Sequence, residues 1–287
     1  MPNLLCFGFG YSARTLARDV LRDGWTVAGT TRDPDRAAAL PGAGLLRFDG
    51  SAALPAAALD EVNALLVSIP PGADGDPVLR HHAQMLAARA AQFDWVGYLS
   101  STSVYGDRAG GWVDEASAAD GISVRGRQRR GAEEAWQALW QSHGLPVHIF
   151  RLAGIYGPGR NQLARVAAGQ AQRIVKPGHF FSRIHVEDIA GVLRASMARP
   201  APGAVYNVAD DEPAPPQDVV AFAAELLGVT PPPEVAIDNA EMSPAGRAFY
   251  AESKRIDNGR LHRDLDYTLR YPDYRAGLAA LAAAGEG

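Results

Sequence analysis

Leu4-Leu5-Cys6-Phe7-Gly8-Phe9-Gly10-Tyr11-Ser12-Ala13 sets a short apolar run directly against a GxGxxA turn, and a helical pattern follows from Arg14 to Arg22. Strand, tight turn and helix in that order are what a dinucleotide needs. Gly8 permits the turn, Gly10 lets the backbone approach a pyrophosphate, and small Ala13 lets the helix pack closely on the strand. Tyr11 and Ser12 belong to the same turn and are read with it as cofactor-binding, and the N-terminus of the helix that follows faces the phosphates. Alone, the glycine pattern also fits an ordinary glycine turn. Its context decides between the two: a second apolar strand over residues 25–29 ends in Thr30-Thr31-Arg32-Asp33-Pro34, at the distance where such folds read the ribose of the adenosine half.

That strand end also speaks to the cofactor. An NAD site usually places a carboxylate there to accept from the ribose hydroxyls, whereas Arg32 and Arg36 offer donors to a 2′-phosphate. NADP is therefore favoured over NAD. Asp33, one residue later, would reverse the preference if turned inward, and both arginines also read as solvated charge at a helix start. Asp49, after the third strand, falls near the expected adenine edge. Ser68 and Pro70, in Ser68-Ile69-Pro70-Pro71 after the fourth, fall where such folds pass close to the cofactor.

The chain has 287 residues, 47% hydrophobic and 21% charged, which suits one large domain or a domain with an appendage. A net charge of −4 gives no general basic field for nucleic acid. No apolar run reaches the roughly 18 residues of a membrane span, and no basic segment precedes the short N-terminal apolar run, so a cytoplasmic protein is expected. Cys6, in the first predicted strand, reads as a small core residue. His81 and His82 are adjacent rather than four apart on their predicted helix, no cysteine pair exists and no GxSxG elbow is present, so neither a metal site nor a serine triad is expected.

Apolar strands over residues 44–48, 64–69, 95–100 and 147–152 alternate with helical patterns near 77–93 and 123–143. The series predicts an α/β fold: a Rossmann-type doubly wound parallel sheet with a smaller C-terminal substrate portion. Ala64-Leu65-Leu66-Val67 is the continuous apolar run of a parallel strand covered on both faces. Residues 1–152 are predicted as the dinucleotide-binding core and 153–287 as mainly substrate-binding. Within the latter, 184–212 return to the core sheet through a helix over 186–198 and a strand at 204–208. The alanine-rich stretch at 276–284 reads as a final helix.

Four segments in order resemble the extended short-chain dehydrogenase/reductase superfamily, in its NAD(P)-dependent epimerase/dehydratase group. They are Tyr98-Leu99-Ser100-Ser101-Thr102-Ser103-Val104-Tyr105-Gly106, Phe150-Arg151-Leu152-Ala153-Gly154-Ile155-Tyr156-Gly157-Pro158-Gly159, Arg183-Ile184-His185-Val186-Glu187-Asp188-Ile189-Ala190 and Val205-Tyr206-Asn207-Val208-Ala209. The likeness covers nearly the whole chain. One departure is Phe7, which stands where the family often has the first glycine of TGxxGxxG.

The resemblance implies a catalytic Ser/Thr, Tyr and Lys: the tyrosine exchanges a proton with the substrate oxygen, the lysine lowers its pKa and binds the nicotinamide ribose, and the Ser/Thr orients the carbonyl. Ser101 matches the Ser/Thr. The expected YxxxK falls on Arg125-Gly126-Arg127-Gln128-Arg129, so Tyr has become Arg125 and Lys has become Arg129. Arg129 could still offer a cation to the ribose. Arg125 cannot replace the tyrosine as a proton donor, because a guanidinium keeps its protons at neutral pH. It could polarise a substrate oxygen or hold an anionic group; Arg125, Arg127, Arg129 and Arg130 also read as a solvated basic face. Tyr105 is the substitute acid best placed in sequence, with a packing role as its alternative, and Ser103 is a further hydroxyl.

A literal Tyr250-Ala251-Glu252-Ser253-Lys254 exists, but it follows the predicted sheet, and Ser253-Lys254-Arg255 with Leu261-His262-Arg263-Asp264-Leu265 resembles a tail segment common in the family. It is read as non-catalytic. His185 and Asp188 could line the substrate side or cap and orient a helix. Arg160, Arg165, Arg173, Lys176 and Arg183 would suit an anionic small-molecule substrate. The resemblance further implies a homodimer through the two long helices. Two functions stay open: an NADP-dependent oxidoreductase or epimerase/dehydratase acting on a small carbonyl or sugar-type substrate through an atypical site, and a catalytically inactive NADP(H)-binding sensor.

Overall fold

β1 (Asn3–Phe7) is covered on both faces: Leu4 and Cys6 enter one apolar layer, Leu5 and Phe7 another. A parallel strand flanked by helices on each side requires this. The computed structural model describes residues 2–35, 37–38 and 40–287. From β1 the chain runs through α1 (Tyr11–Arg22), β2 (Thr26–Thr31), β3 (Ala43–Arg47), β4 (Ala64–Val67), α2 (Pro77–Ala88), β5 (Trp95–Ser101), β6 (Trp112–Val113), α3 (Val124–His143) and β7 (Val147–Leu152). It continues through β8 (Gly154–Tyr156), α4 (Gln162–Ala167), β9 (Arg173–Val175), β10 (Arg183–His185), α5 (Val186–Ala198), β11 (Val205–Val208) and α6 (Pro216–Leu226). The last elements are β12 (Glu234–Ala236), α7 (Pro244–Ala251), β13 (Arg255–Ile256), α8 (Gly259–Leu265) and α9 (Tyr274–Ala283).

The main sheet has seven strands in the order β11-β7-β5-β4-β1-β2-β3, every neighbouring pair parallel. The chain winds outward from β1 to β3, then crosses back to β4 and winds the other way. The direction reverses between β1 and β4, and in such sheets a crevice opens beyond the strand ends at that point. α1 and α5 pack together over one face, and α2 and α3 over the other. This is the doubly wound α/β sheet predicted from the sequence.

Local chemistry fixes the helix ends. Asp76 caps α2, accepting from the N–H groups of Val78 at 2.8 Å and Leu79 at 3.1 Å. Ser123 caps α3 through Gly126 N–H, and Gly144, left-handed at φ 72°, ends it. Three two-stranded parallel pairings, β8 with β10, β9 with β12 and β6 with β13, organise the rest. A separate apolar cluster joins α4, α6 and α9 through Leu163, Val219, Ala223, Leu278 and Leu281. Cys6 is wholly buried, which pushes its thiol above the usual range. Among the described residues, no helix is long and apolar enough to cross a membrane.

Candidate active site

A cavity of about 1080 Å³ opens at the point where the sheet reverses. Its walls come from the β1–α1 turn, the end of β5, the start of α3, the segment after β7 and the chain from α7 to β13.

The β1–α1 turn is built by hydrogen bonds that leave the helix end open. Gly8 has φ +88°, and a Cβ there would lie 2.7 Å from Ser68 Oγ and 2.9 Å from Ile69. Its N–H donates to Thr30 Oγ1 at 2.8 Å, while Ser68 Oγ donates to its carbonyl at 2.8 Å. Gly10 is the N-cap of α1 and supplies no side-chain cap; a Cβ built on it meets nothing within 4 Å. Gly10, Tyr11 and Ser12 line the cavity, and buried Ala13 lies where α1 meets the sheet. An uncapped twelve-residue helix with free space before it suits the pyrophosphate of a dinucleotide.

The adenosine side is less enclosed. Arg32 is exposed just beyond β2, and exposed Asp49 is turned to its own chain, accepting from Ser51 N–H at 2.9 Å and Ser51 Oγ at 2.6 Å. Neither lines the cavity, whereas Ser68 and Pro70 do. Arg36 lies outside the described residues.

At the other end, Ser101 begins a single tight turn over Thr102–Tyr105 and accepts from Ser103 N–H at 3.2 Å. Ser103 Oγ is buried with no hydrogen-bond partner among the described residues. α3 meets this turn at Gly126, where a Cβ would stand 2.6 Å from Ser103 O. That close approach leaves Arg125 and Arg129, one helical turn apart, lining the cavity with Gln128. Arg129 is anchored to β5, donating to Leu99 O at 2.6 Å and Tyr98 Oη at 3.2 Å. Arg125 is exposed and lines the cavity, and its side chain makes no hydrogen bond or ion pair among the described residues.

Tyr105 does not reach the cavity. It is fully buried and donates to Asn207 Oδ1 at 2.7 Å while accepting from Arg151 at 2.9 Å; burial pushes its hydroxyl up to about 12. Arg151 continues the chain of contacts to Glu133, which also accepts from Ser100 Oγ at 2.5 Å. His185 Nδ1 accepts from Glu187 N–H at the start of α5, with its ring 4.0 Å from that of Tyr271. Asp188 is buried and binds Tyr267 Oη and the N–H groups of Arg270 and Tyr271. Both serve the fold around α5 and do not line the cavity.

Of the basic residues read as substrate-facing, Arg160 lines the cavity. Arg173 pairs with Glu234, Arg183 is buried against the carbonyls of Phe181 and Ala214, and Lys176 binds Tyr250 O. Arg165 faces a second, smaller cavity of about 380 Å³. Lys254, set aside in the sequence reading, lines the main cavity together with Glu252, while Tyr250 of the same motif faces the second one. α7 ends at Ala251 and the chain continues extended, so the helical spacing that would align Tyr250 with Lys254 does not exist.

The reversing parallel sheet, the uncapped α1 and the Ser101 turn define a dinucleotide-binding short-chain dehydrogenase/reductase frame, and the chain belongs to the NAD dependent epimerase/dehydratase family, whose family model matches residues 83–209. Among its relatives, Protein YeeZ of Escherichia coli (strain K12) is 32% identical over 286 residues, covering 95% of this chain and 97% of that protein. A solved structure from Silicibacter pomeroyi DSS, described as a functionally unknown conserved protein, is 53% identical with a TM-score of 0.92 over 100% of both chains. The structure of MoeE5 in complex with UDP-glucuronic acid and NAD is 22% identical, with a TM-score of 0.78 over 97% of both chains, and shares the fold.

Proposed function

We propose that this protein is an NADP-dependent oxidoreductase or epimerase/dehydratase acting on a small anionic carbonyl or sugar-type substrate. One observation carries the reading: the uncapped N-terminus of α1 and the Ser101–Arg129 pair open into the same cavity. Gly10, Tyr11 and Ser12 would hold the pyrophosphate, Ser68 and Pro70 would border the nicotinamide half, and Arg129 would reach its ribose. A bound dinucleotide supplies or withdraws two electrons at the substrate carbon.

The chain's own residues then have separate tasks. Ser101 Oγ orients the substrate oxygen. Arg125, a fixed cation, holds or polarises an oxygen without giving up a proton, which leaves water to carry it. An anionic substrate is supported by the charge of the lining: Arg125, Arg129, Arg160 and Lys254 face Glu252 as the one carboxylate among the described lining residues. Arg32, exposed beyond β2, supports NADP, although the MoeE5 structure holds NAD.

The guanidinium at position 125 favours a second reading, an NADP(H)-binding sensor without turnover. NADPH-dependent reduction across a panel of aldehydes, ketones and nucleotide sugars separates the two, with Ser101→Ala as control. A measured rate that collapses in the variant supports catalysis; NADPH binding with no rate on any member supports the sensor.

A further inference from the structure

Two of the 28 basic residues in this chain are lysines, Lys176 and Lys254, and the other 26 are arginines. Arginine is thus the usual cation here, and an ammonium differs from it in carrying three rotatable donors on one compact nitrogen. Both lysines are set against one segment: Lys176 donates to Tyr250 O, and Lys254 donates to Gly106 O at 2.6 Å and to Glu252 Oε2 at 2.7 Å.

That segment is held rigidly. Ser253 N–H donates to Asp107 Oδ1 at 2.7 Å, its carbonyl accepts from Arg108 N–H at 2.9 Å and Gly110 N–H at 3.0 Å, and its hydroxyl accepts from Phe180 N–H at 3.0 Å. In an extended chain alternate side chains share a face. With Ser253 fixed inward, Glu252, Lys254 and Ile256 all line the cavity. Gly106, which holds Lys254, closes the tight turn that Ser101 opens, so the ammonium and Ser101 Oγ flank one short piece of backbone.

Resting on the proposed oxidoreductase reading, we propose that Lys254 is a catalytic residue: its third N–H donates to the substrate oxygen at the reacting carbon, stabilising the charge that develops there. An ammonium has three donors, and Gly106 and Glu252 take two. Its side chain is 11% exposed and that of Glu252 21%, so the pair is shielded from bulk water yet still reaches the cavity. A compact, rotatable donor serves a single oxygen, whereas a guanidinium fork is matched to bidentate partners. Glu252 positions the amine.

The test uses the full chain, the substrate found in the panel above, and the variants Lys254→Ala and Lys254→Arg. Removing one such donor typically costs about 10²–10³-fold in kcat. Both variants should lose kcat on that scale while NADPH affinity stays within about threefold, and added methylammonium should restore part of the Lys254→Ala rate. In parallel, formaldehyde with cyanoborohydride should methylate Lys254 in the folded wild type, read by mass spectrometry. Variants that keep kcat within threefold, or a Lys254 that stays unmodified while the N-terminal amine is labelled, overturn the proposal alone. A wild type that turns over no member of the panel removes this role together with the catalytic reading, and a wild type that binds no NADPH removes the cofactor reading itself.

Discussion

Arg151 and Glu133 form a buried pair beneath the cavity floor: one edge of the guanidinium reaches both carboxylate oxygens, with Nη2 2.7 Å from Oε2 and Nε 3.1 Å from Oε1. The pair joins β7 to α3, and through Ser100 and Tyr105 it reaches β5 and the Ser101 turn. Breaking such a pair by removing one partner leaves an uncompensated buried charge. Glu133→Gln should therefore destabilise the protein by about 3–5 kcal/mol, measured by urea unfolding. A cost near zero would show that the pair does not hold the floor.

Gly8 and Gly10 should separate folding from binding. A Cβ at Gly8 meets Ser68 and Ile69 in a left-handed backbone, whereas at Gly10 it enters open space. Gly8→Ala should lower Tm by several degrees, as expected for a strained site losing about 1–3 kcal/mol. Gly10→Ala should leave Tm within about 1–2 °C, because an unstrained surface change usually stays within ±0.5 kcal/mol. Its methyl would instead intrude on the pyrophosphate and weaken NADPH binding about tenfold or more. Equal nucleotide affinity in Gly10→Ala and wild type would move the phosphates away from α1.

His148 makes stability depend on pH. Its Nε2 accepts from Ala201 N–H at 2.9 Å, and burial pushes the ring down to about 4 from the usual 6.5. A depressed folded-state value means stability is complete above about 6.5 and is lost as pH falls toward 4, since the unfolded chain binds the proton first. At pH 5 the loss from this ring approaches 2 kcal/mol, by order of magnitude. His179 and His185, also pushed down to about 4 by burial, act in the same direction. Thermal melts from pH 7 to 5 should show Tm falling, with a shallower slope in His148→Leu.

Much of the fold was legible because its elements carry local signals. The apolar run and glycines at Leu4–Ala13 encode strand, turn and helix; β7 and α5 fall on the residues read from their periodicity. The two- and three-residue strands β6, β8, β9, β10, β12 and β13 carry no such signal, because their pairing is set by distant partners. Ser101, Arg125 and Arg129 were placed by the family resemblance, and they line one cavity. The buried Glu133–Arg151 pair was not legible, since its partners are brought together only by packing α3 on β7. Lys254 was set aside for its place after the predicted sheet and its likeness to a family tail segment; that it lines the cavity depends on a contact spanning 148 residues, to Gly106, which no local pattern announces.

The most direct measurement is a fluorescence titration of the purified protein with NADPH and with NADH, repeated on Arg32→Ala. NADPH should bind more tightly than NADH, with the advantage lost in the variant. If neither dinucleotide binds, the cavity at the head of α1 serves another ligand and the proposed function fails.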